Sequence, residues 1–387
     1  MHPSEGIHDT AVAPRARGPY AAFDEPTASL RHAVVPYPPS HSEMLREWDE
    51  LAERLQTLPY HQSGWALAWW RAFGHGAPEL HTLRRDGRLV ALLPMTRHGK
   101  VLEALANYHT PAFRLLADDT ASASAIAQAL FSGAPTHLSL TSLDEDDFTL
   151  GACLDAAEQA GYRVVVRPFV RSLYIDVDCS WTGYEAGLGD NLLRNLRRSR
   201  RQLAREGHVA VDVITGGPQL DERLREAFLV ENAGWKGAAG TSILSDARTQ
   251  RFYTAIGRWA AERGLLRLFM LRVDRRPLAM CFAIQERGVC HLLKAGYDPA
   301  YGRYSPGNLL MQAMIRGCFD ERLQRIELNG DTEPYKLSWT RTTREHKRLE
   351  AFAPTVAGQL AWASFTYSRP LTSRVRARLG LTPEHCQ

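Results

Sequence analysis

The residues from Tyr304 to Leu309 combine the types that begin a helix with those that can face an anion. Ser305 can cap a helix, Pro306 fits the first helical position, and apolar residues then recur at helical spacing as far as Cys318. A helix N-terminus offers free N–H groups and a partial positive charge, which suit a phosphate or pyrophosphate. The segment therefore predicts a nucleotide or coenzyme cradle. A well-capped helix that crosses over a sheet is the structural alternative.

A second candidate for anion binding is the arginine-rich run from Asn191 to Gly207. Leu192, Leu196 and Leu203 fall on one face of a predicted helix, and six arginines occupy the remaining faces. A solvated basic helix is one interpretation. The other is a binding face for coenzyme phosphates, an acidic lipid surface or RNA.

Two hairpins must position these segments, and they follow the same plan. His81–Pro94 reads as strand, turn and strand, with Asp86-Gly87 at the turn. Leu268–Ile284 repeats that order, again with an aspartate, Asp274, at the turn. The repeat, separated by about half the chain, predicts an internal duplication of one α/β unit.

The duplication divides the chain into two α/β halves with mixed, mostly antiparallel sheets flanked by helices. Strands are predicted at Tyr162–Pro168 and Ser172–Val177, and the seam is placed near them, between Pro168 and Ser180. The predicted regions are a disordered leader at 1–38, a first half at 39–172, a second half at 173–350 and a helical tail, broken at Pro370, at 351–387.

Composition and charge argue against several classes of protein. A net charge of +4 over 387 residues is too small to indicate nucleic-acid binding by itself. The six cysteines include no Cys-x-x-Cys pair, so neither a metal site nor a disulfide framework is predicted. No apolar run approaches the roughly 20 residues of a membrane helix, and the first residues lack the apolar core of a secretory signal. We therefore expect a cytoplasmic protein.

A set of segments along the chain resembles a known family in its order. The family is that of the GNAT-type acyltransferases associated with cellulose and exopolysaccharide biosynthesis (CelD-like), which are related to the Fem peptidyltransferases. The resemblance covers roughly residues 42–348. The segments are Gly64–Trp70, Leu89–Pro94, Leu192–Gly207, Gly234–Lys236, Phe252–Tyr253, Tyr304–Leu310 and Gly330–Lys336.

The resemblance implies tandem GNAT-like halves, the second being the acyltransferase half, and acyl-CoA as co-substrate with no permanently bound cofactor. Arg303–Asn308 stands where such proteins usually carry a Gln/Arg-x-x-Gly-x-Gly/Ala pyrophosphate loop, which makes aminoacyl-tRNA an alternative donor. The donor-binding residues implied by this position are Tyr304, Ser305, Gly307, Asn308 and Leu309.

Acyl transfer to an amine needs a base, donors for the oxyanion and an acid for the leaving thiolate. Lys336 can stabilise negative charge or hold a phosphate, although a surface ion pair is its plainer role. Asp331 can likewise simply shape a turn. No Ser-His-Asp or Cys-His arrangement is readable, so no covalent enzyme intermediate is predicted. The candidate bases are Asp331, Glu333 and Glu231, and the candidate acids are Tyr335, Tyr304 and Tyr301.

Three hypotheses of function follow. The first is transfer of an acyl group from acyl-CoA to an amine or hydroxyl of an envelope polysaccharide, lipid or amino-sugar precursor. The second is a Fem-like aminoacyltransferase, in which charged tRNA is the donor and the arginine-rich helix contacts it. The third is a non-catalytic scaffold of an envelope assembly. The acceptor stays open, nucleic acid is a partner only if tRNA is the donor, and the basic tail either packs on the body or contacts a membrane surface.

Overall fold

A computed structural model describes residues 30–37 and 42–368. Its elements follow one another in two rounds of similar order, joined by two helices. The first round is β1 (Leu30–Pro36), α1 (Ser42–Arg54), α2 (Ser63–Phe73), β2 (Ala77–Arg85), β3 (Arg88–His98), β4 (Val101–Ala104), β5 (Leu116–Ala117), α3 (Thr120–Ser132), β6 (His137–Asp144), α4 (Phe148–Gln159) and β7 (Arg163–Asp176). The joining helices are α5 (Trp181–Ala186) and α6 (Asp190–Leu203). The second round is β8 (Val209–Ile214), α7 (Leu220–Ala233), α8 (Trp235–Ala238), α9 (Ala247–Glu262), β9 (Leu266–Val273), β10 (Arg276–Glu286), β11 (Val289–Tyr297), α10 (Pro306–Asp320), β12 (Arg325–Glu327), α11 (Pro334–Leu337) and β13 (Thr343–Phe352), followed by α12 (Val356–Ala363).

The described strands form one sheet, in the order β1-β2-β3-β4-β6-β13-β7-β12-β11-β10-β9-β8, with β5 on β3. Neighbouring strands are antiparallel except for β4 with β6 and β11 with β12. The predicted mixed, mostly antiparallel sheet with flanking helices is confirmed. Both predicted hairpins are present, and Asp86 and Asp274 take the left-handed backbone, with φ of 52° and 51°, at their turns.

At the junction between the halves, the last described strand of each half pairs with strands of the other half. β13, from the second half, lies between β6 and β7 of the first, and β7 in turn pairs with β12. The two strands predicted at 162–168 and 172–177 are a single strand, because β13 pairs along it from Arg163↔Phe352 to Leu173↔Thr343. The predicted boundaries at 172/173 and 350/351 therefore fall inside strands β7 and β13.

The predicted disordered leader is wrong over Leu30–Pro36, which forms β1. This edge strand pairs with β2 from Leu30↔Arg85 to Pro36↔Glu79 and stays almost entirely exposed. Backbone pairing holds it with little apolar burial, so it leaves no hydrophobic pattern to read. The rest of the leader up to residue 29, and the predicted break of the tail at Pro370, lie outside the described residues.

An apolar cluster shared by both halves lies on one face of the sheet. It packs α1 and α2 of the first half against α7 and α9 of the second. Trp65 of α2 meets the ring of Phe252 of α9 edge-on, with ring centroids 5.3 Å apart. On the other face, α3 and α4 cover the first half and α6 and α10 cover the second. Within residues 30–37 and 42–368, no helix has both the length and the apolarity needed to cross a membrane.

Candidate active site

Strands β11 and β12 part after a short parallel pairing, and the gap between them is the centre of the candidate site. They pair over three rows, from Val289↔Arg325 to His291↔Glu327. β12 then ends, while β11 continues to Tyr297 along β10. A register shift between Phe282 and Ala283 leaves Leu293 as a bulge at the point where the strands separate.

The chain turns sharply away from the sheet directly after β12. Asn329 and Gly330 both take left-handed backbone conformations, with φ of 44° and 62°, which these residue types tolerate best. Two side chains then bond β11 carbonyls on this side of the molecule. Asn329 Nδ2 donates to the Leu292 carbonyl at 3.2 Å, and Lys236 Nζ donates to the Ala295 carbonyl at 2.9 Å. The gap is therefore lined by polar side chains rather than closed by another strand.

The gap opens on a cleft between the two halves, with a cavity volume of about 130 Å³. The first half contributes the loop after β4 and parts of β6 and β7, and the second contributes α8, β11 and the segment after β12. Its main polar and aromatic lining is Tyr108, His109, Ser142, Ser172, Trp235, Lys236, Tyr253, Lys294, Asn329, Glu333, Tyr335, Lys336 and His346.

Lys336 holds together the polar segment after β12. Its ammonium group lies 2.6 Å from Glu333 Oε2 and donates to the carbonyls of Asn329, at 2.5 Å, and Asp331, at 3.3 Å. The residue is only 4% exposed. Burial lowers its pKa, and the nearby Glu333 carboxylate opposes that shift. Lys336 thus shapes the wall of the cleft, in a buried ion pair rather than on the surface.

Lys294 is the cleft cation without an acidic partner, and sequence reasoning did not select it. Its Nζ lies 5.3 Å from the centre of the Tyr253 ring and makes no ion pair or hydrogen bond with the described residues. Burial first, and then the charge of Lys236, lower the pKa of Lys294 to about 8. A lysine between apolar residues of a strand, in Leu292-Leu293-Lys294-Ala295, was the sequence signal that could have found it.

The three carboxylates predicted as bases lie in different surroundings. Glu333 lines the cleft, whereas Asp331 is exposed and does not line it. Glu231 is 1% exposed: its Oε2 accepts from the Ile243 N–H at 2.7 Å, and its Oε1 lies 3.8 Å from Lys236 Nζ. A Cβ at Gly296 would lie 2.6 Å from the Cα of Glu231, so α7 and β11 are in close contact there. Glu231 is therefore buried behind Lys236 and does not line the cleft itself.

The phenols of the cleft remain protonated at neutral pH. Burial, followed by the charges of Asp331 and Glu333, raises the pKa of Tyr108 to about 12. Burial, followed by Glu333, raises the pKa of Tyr335 well above 10. His109 is neutral, because burial and then Lys294 lower its pKa to about 3, and its Nδ1 lies 3.3 Å from the Tyr253 hydroxyl. The cleft thus offers hydroxyl donors beside Lys294.

The predicted donor-binding residues lie together at the start of α10, outside the cleft lining. Ser305 occupies the cap position with φ 50° and ψ 48°, but its side chain makes no cap hydrogen bond, so its predicted capping is wrong. The left-handed backbone accounts for this, since a capping side chain normally needs an extended one. The first-turn N–H groups of α10, at Gly307 and Asn308, are thus left without that acceptor. The Tyr304 hydroxyl donates to Glu206, just beyond α6.

The basic helix α6 lies beside this helix start. Leu196, Ser199 and Leu203 are buried, and its arginines are exposed. Among the described residues, Arg197, Arg198 and Arg201 form no ion pair with an acidic side chain. Arg303 Nη2 lies 3.8 Å from Glu206 Oε1, which ties the end of α6 to the turn before α10. A cationic surface therefore flanks the uncapped helix.

Comparison with known proteins shows what residues 190–337 resemble in sequence and what the whole chain resembles in fold. The sequence profile described as "Acetyltransferase (GNAT) domain" matches residues 190–337. No curated protein matches the chain in sequence. Solved structures that share the fold include the C-terminal domain (DUF2156) of a putative lysylphosphatidylglycerol synthetase from Agrobacterium fabrum (TM-score 0.53, 12% identity, 84% of this chain and 96% of that one). They also include FemX (0.54, 9%, 79% and 95%) and a conserved protein of unknown function from Bacteroides thetaiotaomicron (0.51, 11%, 80% and 97%).

The matched range begins with α6 and ends with α11, so it contains the gap, Lys294, the start of α10 and the segment held by Lys336. The match over residues 190–337 supports a GNAT acetyltransferase domain and hence a transferase, and the mixed α/β fold of the chain is shared with these solved structures.

Proposed function

We propose that the protein transfers an acyl group from acyl-CoA to an amine or hydroxyl of an envelope polysaccharide, lipid or amino-sugar precursor. The observation that carries the proposal is the gap between β11 and β12. β11 runs from the cleft, at Lys294, to the turn that leads into α10. A thioester lying in the gap has its acyl carbon at the cleft and its phosphates at a helix N-terminus.

The donor is held by charge and by backbone N–H groups. The first turn of α10 presents Gly307 and Asn308 without a capping side chain, and the exposed arginines of α6 lie beside it. Together they suit the pyrophosphate and ribose phosphate of coenzyme A. We assign Tyr304, Ser305, Gly307, Asn308 and Leu309 to this donor site.

Lys294 is the residue we assign to proton transfer. A pKa of about 8 leaves a useful fraction of the amine neutral near neutral pH, and no described acidic side chain forms an ion pair with it. The acceptor nitrogen or oxygen attacks the thioester carbon and gives its proton to Lys294, and the carbon–sulfur bond then breaks. We assign to the protonated hydroxyls of Tyr108 and Tyr335, which line the cleft, the hydrogen bonds that stabilise the leaving thiolate.

The predicted carboxylates take supporting roles in this scheme. Lys336 pairs with the Glu333 carboxylate, so we assign this pair to the shape of the cleft wall rather than to proton transfer. Glu231 positions Lys236, whose ammonium group bonds the β11 carbonyl at Ala295. Asp331 contributes its backbone carbonyl to Lys336.

A charged tRNA as donor is the second candidate, and the exposed arginine face of α6 favours it. Exposed cations without acidic partners suit a phosphate backbone as well as they suit coenzyme A. Such binding loses affinity steeply as salt rises, because many counterions are released. A scaffold without catalytic activity binds neither donor.

Calorimetry on the full chain separates these candidates. We expect saturable binding of acetyl-CoA or octanoyl-CoA that depends on the acyl chain. Tight binding of tRNA with a steep salt dependence, and none of acyl-CoA, would transfer the proposal to the Fem-like activity. Binding of neither donor would favour the scaffold.

Asn308→Asp tests the donor site within the same experiment. A carboxylate in the first turn stabilises a helix but repels a phosphate, so acyl-CoA affinity should fall about tenfold while the unfolding temperature holds or rises. Gln128→Glu, the same change of charge on exposed α3 of the first half, is the matched control. Equal affinity in both variants would remove the start of α10 from the donor site.

A further inference from the structure

Three side chains of the types that bind metals lie together in the first half, away from the cleft. They are His75, His98 and Glu103, and their ligand atoms all lie within 4.8 Å of one another. His75 follows α2, His98 ends β3 and Glu103 belongs to β4. Over residues 30–37 and 42–368, no second group of three such side chains meets this spacing.

The atoms face one another without being hydrogen-bonded. The two imidazole rings have centroids 4.3 Å apart, and His98 Nε2 lies 3.8 Å from Glu103 Oε2, too far for a hydrogen bond. His98 Nε2 is shielded from solvent and has no hydrogen-bond partner. Buried polar atoms normally have one. Two ligands of one tetrahedral zinc ion are roughly 3.4 Å apart, given bonds of about 2.0–2.1 Å, so a small side-chain adjustment brings these atoms to a shared cation.

The position of the hydrogen on the His75 imidazole is set by a backbone carbonyl. Its Nδ1 lies 3.2 Å from the carbonyl oxygen of Phe73. A carbonyl can only accept, so Nδ1 carries the hydrogen and Nε2 keeps its lone pair. Metal-binding histidines are commonly held in this way, with the other ring nitrogen donating to a backbone carbonyl.

The backbone fixes all three positions independently of any ligand. Glu103 pairs with Thr96, two residues before His98 on the neighbouring strand, so Glu103 and His98 share a face of the hairpin. The Thr96 hydroxyl donates to the His75 carbonyl at 2.7 Å. Gly76 has φ +74°, and a Cβ there would lie 2.5 Å from His98 Cε1. Glycine at 76 therefore lets the loop that carries His75 approach His98.

We propose that His75, His98 and Glu103 bind a divalent transition-metal cation, with zinc the best fit. Two imidazoles and a carboxylate suit zinc, whereas magnesium and calcium prefer oxygen ligands alone. Three protein ligands leave a fourth position for water. The sequence predicted no metal site, because that prediction considered cysteine pairs alone and the members of this trio are 23 and 5 residues apart in sequence.

The bound cation ties the end of α2 to the β3–β4 hairpin. Phe73, two residues before His75, stacks on His109 with ring centroids 5.2 Å apart and planes 11° apart. His109 lines the cleft. The cation therefore braces one wall of the cleft from outside, whichever acyl donor the transferase uses.

Zinc titration of the full chain, freed of metal by dialysis against a chelator, tests the proposal. We expect calorimetry to show one zinc per chain bound at this site and cobalt to give the intense visible bands of a tetrahedral complex. His98→Ala and the nearly isosteric Glu103→Gln should each weaken zinc binding by about tenfold or more, since each removes one of three protein ligands. His208→Ala, which removes an exposed histidine elsewhere, should leave binding unchanged.

Thermal unfolding supplies the second readout. Zinc should raise the unfolding temperature of the wild type and of His208→Ala, and raise it less in Glu103→Gln, because a ligand stabilises only the state that binds it. Failure of the wild type to bind zinc would overturn the proposal. Equal binding by the wild type and Glu103→Gln would also overturn it, by locating the cation elsewhere.

Discussion

Helices α3 and α10 follow the central hairpins of the two halves, and the N-termini of these two helices are capped differently. In the first half, α3 is capped by Asp119, whose carboxylate accepts from the Ser122 N–H at 2.7 Å and pairs with Arg85 at 2.9 Å. In the second half, α10 begins from Ser305 without any side-chain cap. A carboxylate already occupies the place of an anion in one half, while the other half leaves that place open.

The gap beside the parallel strand pair is likewise closed in the first half and open in the second. β4 and β6 pair over three rows, as β11 and β12 do. The chain after β4 then returns, and Phe113 bridges to Leu143. After β12 the chain turns away at Asn329 instead. The two halves thus share an element order but differ at these two places. The first, closed half has a bridged strand gap and a capped helix and supplies a wall of the cleft. The second, open half has an unbridged gap and an uncapped helix and carries the proposed donor site.

The largest effect is expected where the two halves meet. Trp65 is 1% exposed and packs against Tyr60 and, across the junction, Phe252. Trp65→Ala should lower the free energy of unfolding by about 3–5 kcal/mol in a denaturant titration, still in one transition, because the halves share this cluster. Trp235→Ala, at a residue 61% exposed, is the control and should change it by less than about 0.5 kcal/mol. Two separate transitions would show that the halves unfold independently.

A smaller effect is expected at Lys294, the residue of the open half proposed for proton transfer. Lys294→Met should lower the rate of thiol release from acetyl-CoA, with glucosamine as amine acceptor, by about 100-fold. The wild-type rate should rise with pH through about 8, since only the neutral amine accepts a proton. Lys100→Met, at an exposed lysine of the first half, is the control.

The pKa of Lys294 can also be measured without an acceptor. Competitive acetylation by acetic anhydride, followed by mass spectrometry, should give a midpoint near pH 8 for this residue. An ordinary midpoint above 10 would remove Lys294 from proton transfer.

The smallest effect is expected at the cap of the closed half. Asp119→Ala should destabilise the fold by about 1 kcal/mol at pH 7 and leave acyl-CoA affinity unchanged. Burial alone would raise the pKa of Asp119, but hydrogen bonds from Ser122 and Arg85 hold this pKa below its ordinary value. The stabilisation is thus present above the pKa of the unfolded chain and is lost as pH falls through the lower folded value, so variant and wild type should converge in acid. Weakened acyl-CoA binding would contradict the contrast between the helix starts.

Local chemistry made the hairpins and the helix start predictable. Asp86-Gly87 determines its own turn, and Pro306 marks the beginning of α10 wherever the helix packs. The same local reading failed at Ser305, because its backbone adopts a left-handed conformation that the sequence of the turn does not reveal.

The other features of the fold and of the candidate site depend on contacts between residues that are distant in sequence. The pairing of β13 with β7 brings residues near 343 against residues near 173, and no local pattern specifies it. The surroundings of Lys294 are likewise assembled from Tyr253 and Lys236. Lys336 was selected from the sequence, yet the carbonyls that it binds became visible only in the folded segment.

The pairing of β13 with strands of the first half also means that part of the first half waits for its partner strand during synthesis on the ribosome. β6 is translated by Asp144, but β13, which pairs along it, begins about 200 residues later at Thr343. At roughly 5–20 residues per second, the nascent first half keeps an unpaired β6 edge for about 10–40 s. A bare strand edge is a template for wrong pairing. The newly made chain should therefore depend on chaperones until β13 has left the ribosome.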